Sequence, residues 1–347
     1  FSFDKYIPDG ENSYRIISHY GDGTFSTNTF ACFDDVLSDY PEVKSHTICY
    51  NNHNIEEVFI GENKIKVKDA IFANDSFMDF FDAKMIRGDK STINQPNTMM
   101  VTPGMAKKLF QDKYAIGQTV LLRSFTRNRD SLIAYTITGI IEPLPETSHI
   151  KYEILLSQVG HFTPRTEAFK SRKVFGGVIY VKLYPTANIS ALEKSLQTKV
   201  EPILGGKHGP PLEAFNHKLQ AVYDIHTSQG LINELQPTVR LSSLNILLMV
   251  GLLIFVIAIM NSVIMHITRT AFNRKAILII RFHGGDKFNI FLQTFIDVFI
   301  PVIISFLLSL FLLSAFNQIL SELFFSDWSI SFNNSKFWII FSVYCCL

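Results

Sequence analysis

The chain has almost no net charge: 32 Lys and Arg stand against 31 Asp and Glu. With so even a balance, and no long basic stretch interleaved with aromatics, there is no electrostatic footprint for a polyanion. Nucleic acid is not expected as a partner. Cysteine is scarce too, four in 347 residues. None of Cys32, Cys49, Cys345 and Cys346 stands in a CxxC spacing, which removes support for the metal and redox-motif readings. Cys32 and Cys49 read either as a bridge in an oxidising compartment or as two buried free thiols. Catalytic signatures are missing as well. There is no G-x-x-x-x-G-K-[ST] phosphate loop, no G-x-S-x-G elbow and no H-E-x-x-H, so neither enzymatic activity nor a cofactor is expected. His46, His53 and His149 have no ligand spacing and read as surface or hydrogen-bonded histidines. Asp224-x-His226 comes without a nucleophile or oxyanion arrangement, and Glu142 and Glu146 flank prolines in a loop with no acid/base logic.

What the sequence does have is two long apolar runs near its end. Residues 244–267 contain no Asp, Glu, Lys or Arg. At about 1.5 Å per residue a helix of that length crosses the roughly 30 Å of a hydrocarbon core. Residues 290–316 are a second run, interrupted only by Asp297 and by Pro301, which a membrane helix tolerates. Between them, residues 268–289 carry Arg269, Arg274, Lys275, Arg281 and Lys287 against one acid, Asp286. The positive-inside rule places this segment in the cytoplasm and everything before Leu244 on the far side of the membrane. Asp297, about two turns into its helix, reads either as a functional intramembrane acid or as a group near the headgroups or hydrogen-bonded within a helix bundle. The basic segment reads either as a docking site or as a topology signal alone. The chain opens without an initiator Met or an apolar leader, so the export signal is expected upstream. Residues 337–347 are apolar but too short to span, and are expected to begin a third membrane helix after an outer loop at 317–336.

The first 240 residues are ordinary in polarity. A strand is expected at 14–20, a turn at 21–23, a helix with Phe30, Phe33, Leu37 and Tyr40 on one face, and a strand at 43–50. A second β-α-β unit follows late: a strand at 174–183, a helix capped by Asn188 with Ile189, Leu192, Leu196 and Val200 inward, and a strand at 219–225. The two units are expected to pack as a split β-α-β sheet with helices on one face, the porter-like lobe at about 1–50 and 159–240. Residues 51–158 read as an inserted α+β lobe. Asp75 is expected to cap a helix bearing Phe77, Phe80 and Phe81, and Thr102-Pro103 to start one with Met105, Leu109 and Phe110 buried. Strands at 119–123 and 135–141 flank a polar loop at 124–131, and Gly205-Gly206 to Pro211 is a further loop.

An ordered series of short stretches carries a resemblance. It comprises Phe3-Asp-Lys-Tyr, Tyr14-Arg15-Ile16, Tyr40-Pro-Glu-Val43, Ala73-Asn-Asp-Ser-Phe-Met-Asp-Phe-Phe81 and Arg87-Gly-Asp89. Ala106-Lys-Lys-Leu-Phe110, Ile116-Gly117, Gly139-Ile-Ile-Glu-Pro-Leu-Pro-Glu-Thr-Ser-His149 and Asp224-Ile-His226 complete it. In this order they resemble the periplasmic core domain of MacB-like ABC-transporter permeases, and residues 244–347 resemble the FtsX-type membrane domain. The likeness spans nearly the whole chain and is nearest to the tandem-repeat permeases of Bacteroidetes, which makes a fragment of a larger protein the expectation.

The resemblance implies an α+β periplasmic ectodomain at 1–240 followed by an α-helical membrane domain, in the bacterial inner membrane. It implies a separate cytoplasmic ABC ATPase docking on the basic segment, with Arg269, Arg274, Lys275, Arg281, Gly284 and Gly285 as the coupling residues. A second permease half or homodimer partner, a periplasmic partner protein and membrane lipid are the other expected contacts. ATP binding in the partner would move the outer domains, in efflux or in mechanotransmission. One stretch departs from the family pattern, which reads Arg-x-Lys-Glu-Ile-Gly-Ile-Arg-Lys. Here Ala276 replaces the Glu, Leu278 the Gly and Ile280 the Arg. Charge-assisted contacts of this kind are worth about 1.5–3 kcal/mol each when well placed, so coupling would be weakened or absent, or a tandem permease would keep one strongly docking half and one degenerate half. A membrane-anchored periplasmic binding, sensor or assembly protein without an ATPase is the alternative.

Overall fold

The computed structural model describes residues 3–20, 24–51, 57–61, 63–111, 114–126, 129–159, 175–204, 215–228, 230–236, 238, 241–284 and 286–324. Two compact units emerge, Phe1–Leu248 and Met249–Leu347. The expected turn at 21–23, the loop from Gly205, His53, Gly285, the segments at 317–336 (beyond 324) and 337–347, and Cys345 and Cys346 lie outside the described residues.

The first unit is mixed α+β. Its early part runs β1 (Ser13–Tyr20), β2 (Thr24–Ser26), β3 (Thr29–Phe30), α1 (Cys32–Leu37), β4 (Val43–Asn51), β5 (Glu57–Ile60), β6 (Asn63–Lys66), β7 (Ala70–Ala73) and α2 (Asp75–Phe81). Then come β8 (Met85–Gly88), β9 (Thr98–Val101), α3 (Pro103–Phe110), β10 (Thr119–Thr126), β11 (Arg129–Ile141), β12 (Ile154–Ser157), β13 (Phe175–Leu183), α4 (Ile189–Leu204) and β14 (Phe215–Ala221). The strands join in the order β14-β1-β13-β4-β7-β12-β9-β11-β10-β5-β6, with β2, β3 and β8 off this path. β13 is antiparallel to both β1 and β4, so the β1-α1-β4 crossover is split by a strand from about 130 residues later, the split β-α-β order. β4 also pairs with β7 through Tyr50↔Phe72, which carries one sheet through the whole unit.

Why the central strands look like continuous apolar runs follows from their burial on both faces. Along β13, Ile179 and Val181 enter one core layer while Val178 and Tyr180 enter the other, and all four are fully buried. Period-two alternation divides β7, β9 and β12 in the same way. The first layer takes Phe33 and Leu37 of α1, Met105 and Leu109 of α3, and Leu192, Leu196 and Val200 of α4. The second takes Phe77, Phe80 and Phe81 of α2 with Ile7, Val222, Ile225 and Leu235. Helices therefore cover both faces of the unit's sheet, because the strands offer apolar side chains on both.

Local chemistry shifts several expected boundaries. The cap of α2 is Asn74, one residue before Asp75: its Oδ1 accepts from the Phe77 amide at 3.2 Å. Thr102 caps α3 as its sequence suggests, accepting from Met105 N, with Pro103 in the first turn. Asn188 Oδ1 accepts from Ala191 N at 3.1 Å ahead of α4. The expected loop at 124–131 is mostly strand, since Ser124↔Ser131, Phe125↔Asp130 and Thr126↔Arg129 continue the β10–β11 ladder. Strand 219–225 ends early, at Ala221, and gives way to a 3-10 turn over Val222–Thr227. Cys32 and Cys49 are buried and no disulfide joins them, and burial pushes the Cys49 thiol up to about 12.

The second unit holds most of two long helices, α5 (Leu241–Phe282) and α6 (Lys287–Phe324). The basic segment expected as a loop is largely helical: α5 runs on through it to Phe282, and only residues 283–286 separate the two helices. Its composition explains the difference, since 268–282 holds no Gly or Pro to stop a helix already nucleated by the apolar run. Among the described residues one stretch, Asn245–Arg269, is long and apolar enough to cross a membrane, and none of it is buried. Within α6 the apolar stretch is shorter, Phe299–Leu312.

Candidate functional site

Two features of the chain gather charged and polar side chains. The first is the basic end of α5. Arg269, at the end of the apolar span, and Arg274 and Lys275 beyond it are exposed on the helix. Positions 274 and 281 are seven residues apart, so the helix carries them on one face. Thr268 Oγ1 donates to Ile264 O at 2.8 Å, and the helix closes with the His283 amide on Ile279 O at 3.1 Å. Gly284 follows at φ 79°, the left-handed conformation that glycine supplies at a helix C-terminus. Asp297 lies in the third turn of α6. Gly285 is outside the described residues.

The second feature went unrecognised as a unit in the sequence. It is a buried polar cluster where the start of the ectodomain meets its end. Asp4, fully buried at φ 55°, receives the His149 amide on Oδ1 at 3.0 Å, and the same oxygen is 2.8 Å from His149 Nδ1. His149 Nε2 meets Tyr180 Oη at 2.9 Å, and Tyr6 Oη meets Ser148 Oγ at 2.7 Å. The other Asp4 oxygen, Oδ2, faces His226 Nε2 at 3.8 Å, and neither atom has a hydrogen-bond partner. Phe3 stacks on the His226 ring with centroids 3.9 Å apart. Beside them Arg15 of β1, also fully buried, donates from Nε to Gln220 Oε1 at 2.7 Å and from both terminal nitrogens to Glu234, at 2.7 and 2.5 Å.

Burial dominates the electrostatics here. It holds His149 below the ordinary histidine range, with the Asp4 carboxylate opposing and the Arg15 cation reinforcing. His226 is lowered for the same reason, against the pull of Asp4. Tyr180 is raised well above the ordinary phenol range, chiefly by burial. Its hydrogen bonds and ion pairs tie together segments of the chain around Asp4, Arg15, His149, Tyr180, His226 and Glu234, which is the chemistry of a structural lock. Among the described residues no group of three or more His, Cys, Asp and Glu side chains is arranged to hold a metal.

His46 is hydrogen-bonded to Asp34 and Ser38 and stays outside the cluster, as do Glu142 and Glu146. Apart from His149 and Tyr180, which are 31 positions apart, the cluster residues paired by hydrogen bonds or charge lie 142 to 222 positions apart along the chain, so no local spacing could reveal them. One signal was available: Phe3-Asp4, Tyr14-Arg15-Ile16, Ser148-His149 and Asp224-Ile-His226 all belong to the stretches that carry the family resemblance, and here they meet.

Comparison with known proteins follows the same lines. Residues 2–199 match the family model described as the MacB-like periplasmic core domain. No curated protein sequence matches the chain significantly. Among solved structures, a domain assigned to a permease protein of Porphyromonas gingivalis is similar at 19% identity and TM-score 0.49, over 67% of this chain and 96% of that one. The periplasmic region of MacB from Actinobacillus actinomycetemcomitans is similar at 15% identity and TM-score 0.44, over 64% and 92%. The extracellular domain of the noncanonic ABC-type transporter YknZ from Gram-positive bacteria gives 13% and 0.41, over 60% and 100%. The family model covers more than half of the 347 residues, and on that ground the chain belongs to the MacB-like periplasmic core domain family.

Proposed function

We propose that the chain is a permease component of an ABC-type transporter of the MacB/FtsX kind, with the ectodomain in the periplasm and α5 crossing the inner membrane. The observation that carries this reading is α5 itself. An exposed apolar span, Asn245–Arg269, continues without a break into a basic helical end. A soluble helix with that much exposed apolar surface has no stable place in water, and a helix crossing the membrane would bring Arg274 and Lys275 out on the positive-inside face. The division into a porter-like lobe and an inserted lobe, the second span in α6, and a role for Asp297 within the membrane belong to the same proposal.

A cytoplasmic ATPase is the partner this arrangement suits, since the chain encodes no phosphate loop of its own. An uninterrupted helix would pass a displacement at its basic end to the chain entering the ectodomain. Efflux and mechanotransmission use the same coupling. Purification of the full-length protein from its own membranes tests it: a P-loop ATPase should accompany it and be stimulated by it. Absence of both association and stimulation would instead support a membrane-anchored binding or sensor protein, the reading favoured by the charges missing at Ala276 and Ile280.

A further inference from the structure

The ectodomain ends on a short strap, residues 230–236, after the 3-10 turn over Val222–Thr227 and before α5 begins at Leu241. Its hold on the sheet is narrow. Ile232 makes an isolated parallel bridge to Ser26, with Ile232 N on Phe25 O at 3.0 Å and Thr27 N on Ile232 O at 3.1 Å. Thr27 Oγ1 donates to Asn233 O, and Asn233 Nδ2 donates to Ser26 Oγ at 3.1 Å. Gln236 reaches Asp69 at 3.4 Å, and Leu235 is the strap's one buried apolar side chain. Contacts this few ordinarily fray one by one.

Glu234 changes that. Its carboxylate closes both terminal nitrogens of Arg15, which is 0% exposed on a strand hydrogen-bonded on both sides, to β13 and β14. Withdrawing the carboxylate while the guanidinium stays buried leaves an uncompensated charge, so intermediate positions of the strap are penalised. The strap is either docked with Glu234 on Arg15, or released far enough for water to reach Arg15.

We infer that residues 230–236 form a two-position latch, closed by Glu234 on Arg15, which sets how far along the chain toward α5 the sheet's hold extends. With the latch closed, the described contacts reach Gln236, and the five steps from there to Leu241 span at most about 18 Å. With it open, the last anchored residue is Ser228, whose amide is held by Asp224 and Ile225, and the thirteen steps to Leu241 span up to about 45 Å. The device does not depend on the membrane reading. In a permease of the proposed type it would decide whether a displacement of α5 reaches the sheet through the strap or is lost as the strap lifts off.

Hydrogen exchange on the full-length protein tests the latch directly. In Glu234→Gln, exchange of peptides covering 230–236 and of the Thr27 amide should accelerate at least tenfold, while peptides from β13 and β4 keep the wild-type rate. Replacing both partners, Arg15→Met with Glu234→Leu, should return strap exchange to within a few-fold of wild type, because the buried charge is gone with its counter-charge. Unchanged strap exchange in Glu234→Gln would overturn the proposal. So would an acceleration of equal size in β13, which would mark Glu234 as a general stabiliser. Should Glu234→Gln not fold, Glu234→Asp shortens the reach by one methylene and reads the same two outcomes.

Discussion

The buried histidines make the ectodomain acid-sensitive, and His217 shows the effect most simply. Its ring lies edge-on to Phe33 at 4.4 Å, with Nδ1 2.9 Å from Ser18 Oγ. Burial pushes it down from 6.5 to about 4. The unfolded chain therefore binds a proton that the folded chain refuses: its contribution is intact above about pH 6.5 and is lost as pH falls from there to about 4. The full loss is on the order of 3 kcal/mol. His149 and His226 are lowered too, so they act in the same direction. Urea unfolding of the full-length chain at pH 7 and pH 4.5 should show His217→Gln losing less stability over that interval than the wild type, by at most about 1.4 kcal/mol per pH unit. Equal losses would mean that His217 takes up its proton as readily in the folded chain as in the unfolded one, and that burial does not lower it. Nothing near His217 in sequence announces this burial, since it comes from Phe33 and Ser18, far away along the chain.

Single elements show where sequence patterns succeed and where contacts decide. Met105, Leu109, Leu192, Leu196 and Val200 were legible because helical spacing puts them on one face, and they are buried on that face. The glycines of β8 and β11 are explained only by their approach. Gly88 pairs with Gly139, sits at φ 99°, and a Cβ on it would lie 2.5 Å from Thr138 O. Gly88→Ala should cost roughly 2–3 kcal/mol through backbone strain and that clash, read as a lower urea midpoint with an unchanged slope. A neutral result would show that β8 can shift away from β11 freely. For α5, the helical continuation turns scattered basic residues into a structured end. If the proposed ATPase partner docks there, reversing charge at Arg274, Lys275 and Arg281 to Glu should lower its stimulation at least fivefold in membranes and leave ectodomain exchange unchanged. Undiminished stimulation would make the basic end a topology signal only. Phe282 is the last helical residue because His283 and Gly284 close the turn, a boundary that composition alone set too early.

At the scale of the whole molecule, one sheet runs through segments that the sequence divides into two lobes. β4 pairs with β13 on one side and β7 on the other, and both core layers draw on residues from each part. Such a sheet should unfold as a unit. Hydrogen-exchange labelling of the full-length protein in urea should show β13, β7 and β12 losing protection at one midpoint, whereas early loss confined to β7, β9 and β12 would reveal an independently unfolding lobe. The sequence by itself determined the polar ectodomain, the apolar character of α5, the helix faces and the family, because those depend on composition, periodicity and short ordered motifs. Only the tertiary structure decided the joining of β4 to β7, the covering of both sheet faces, and the meeting of Asp4, Arg15, His149, His226 and Glu234. Those depend on which strands pair and on side-chain contacts between residues as far as 219 positions apart, which leave no trace in any local window.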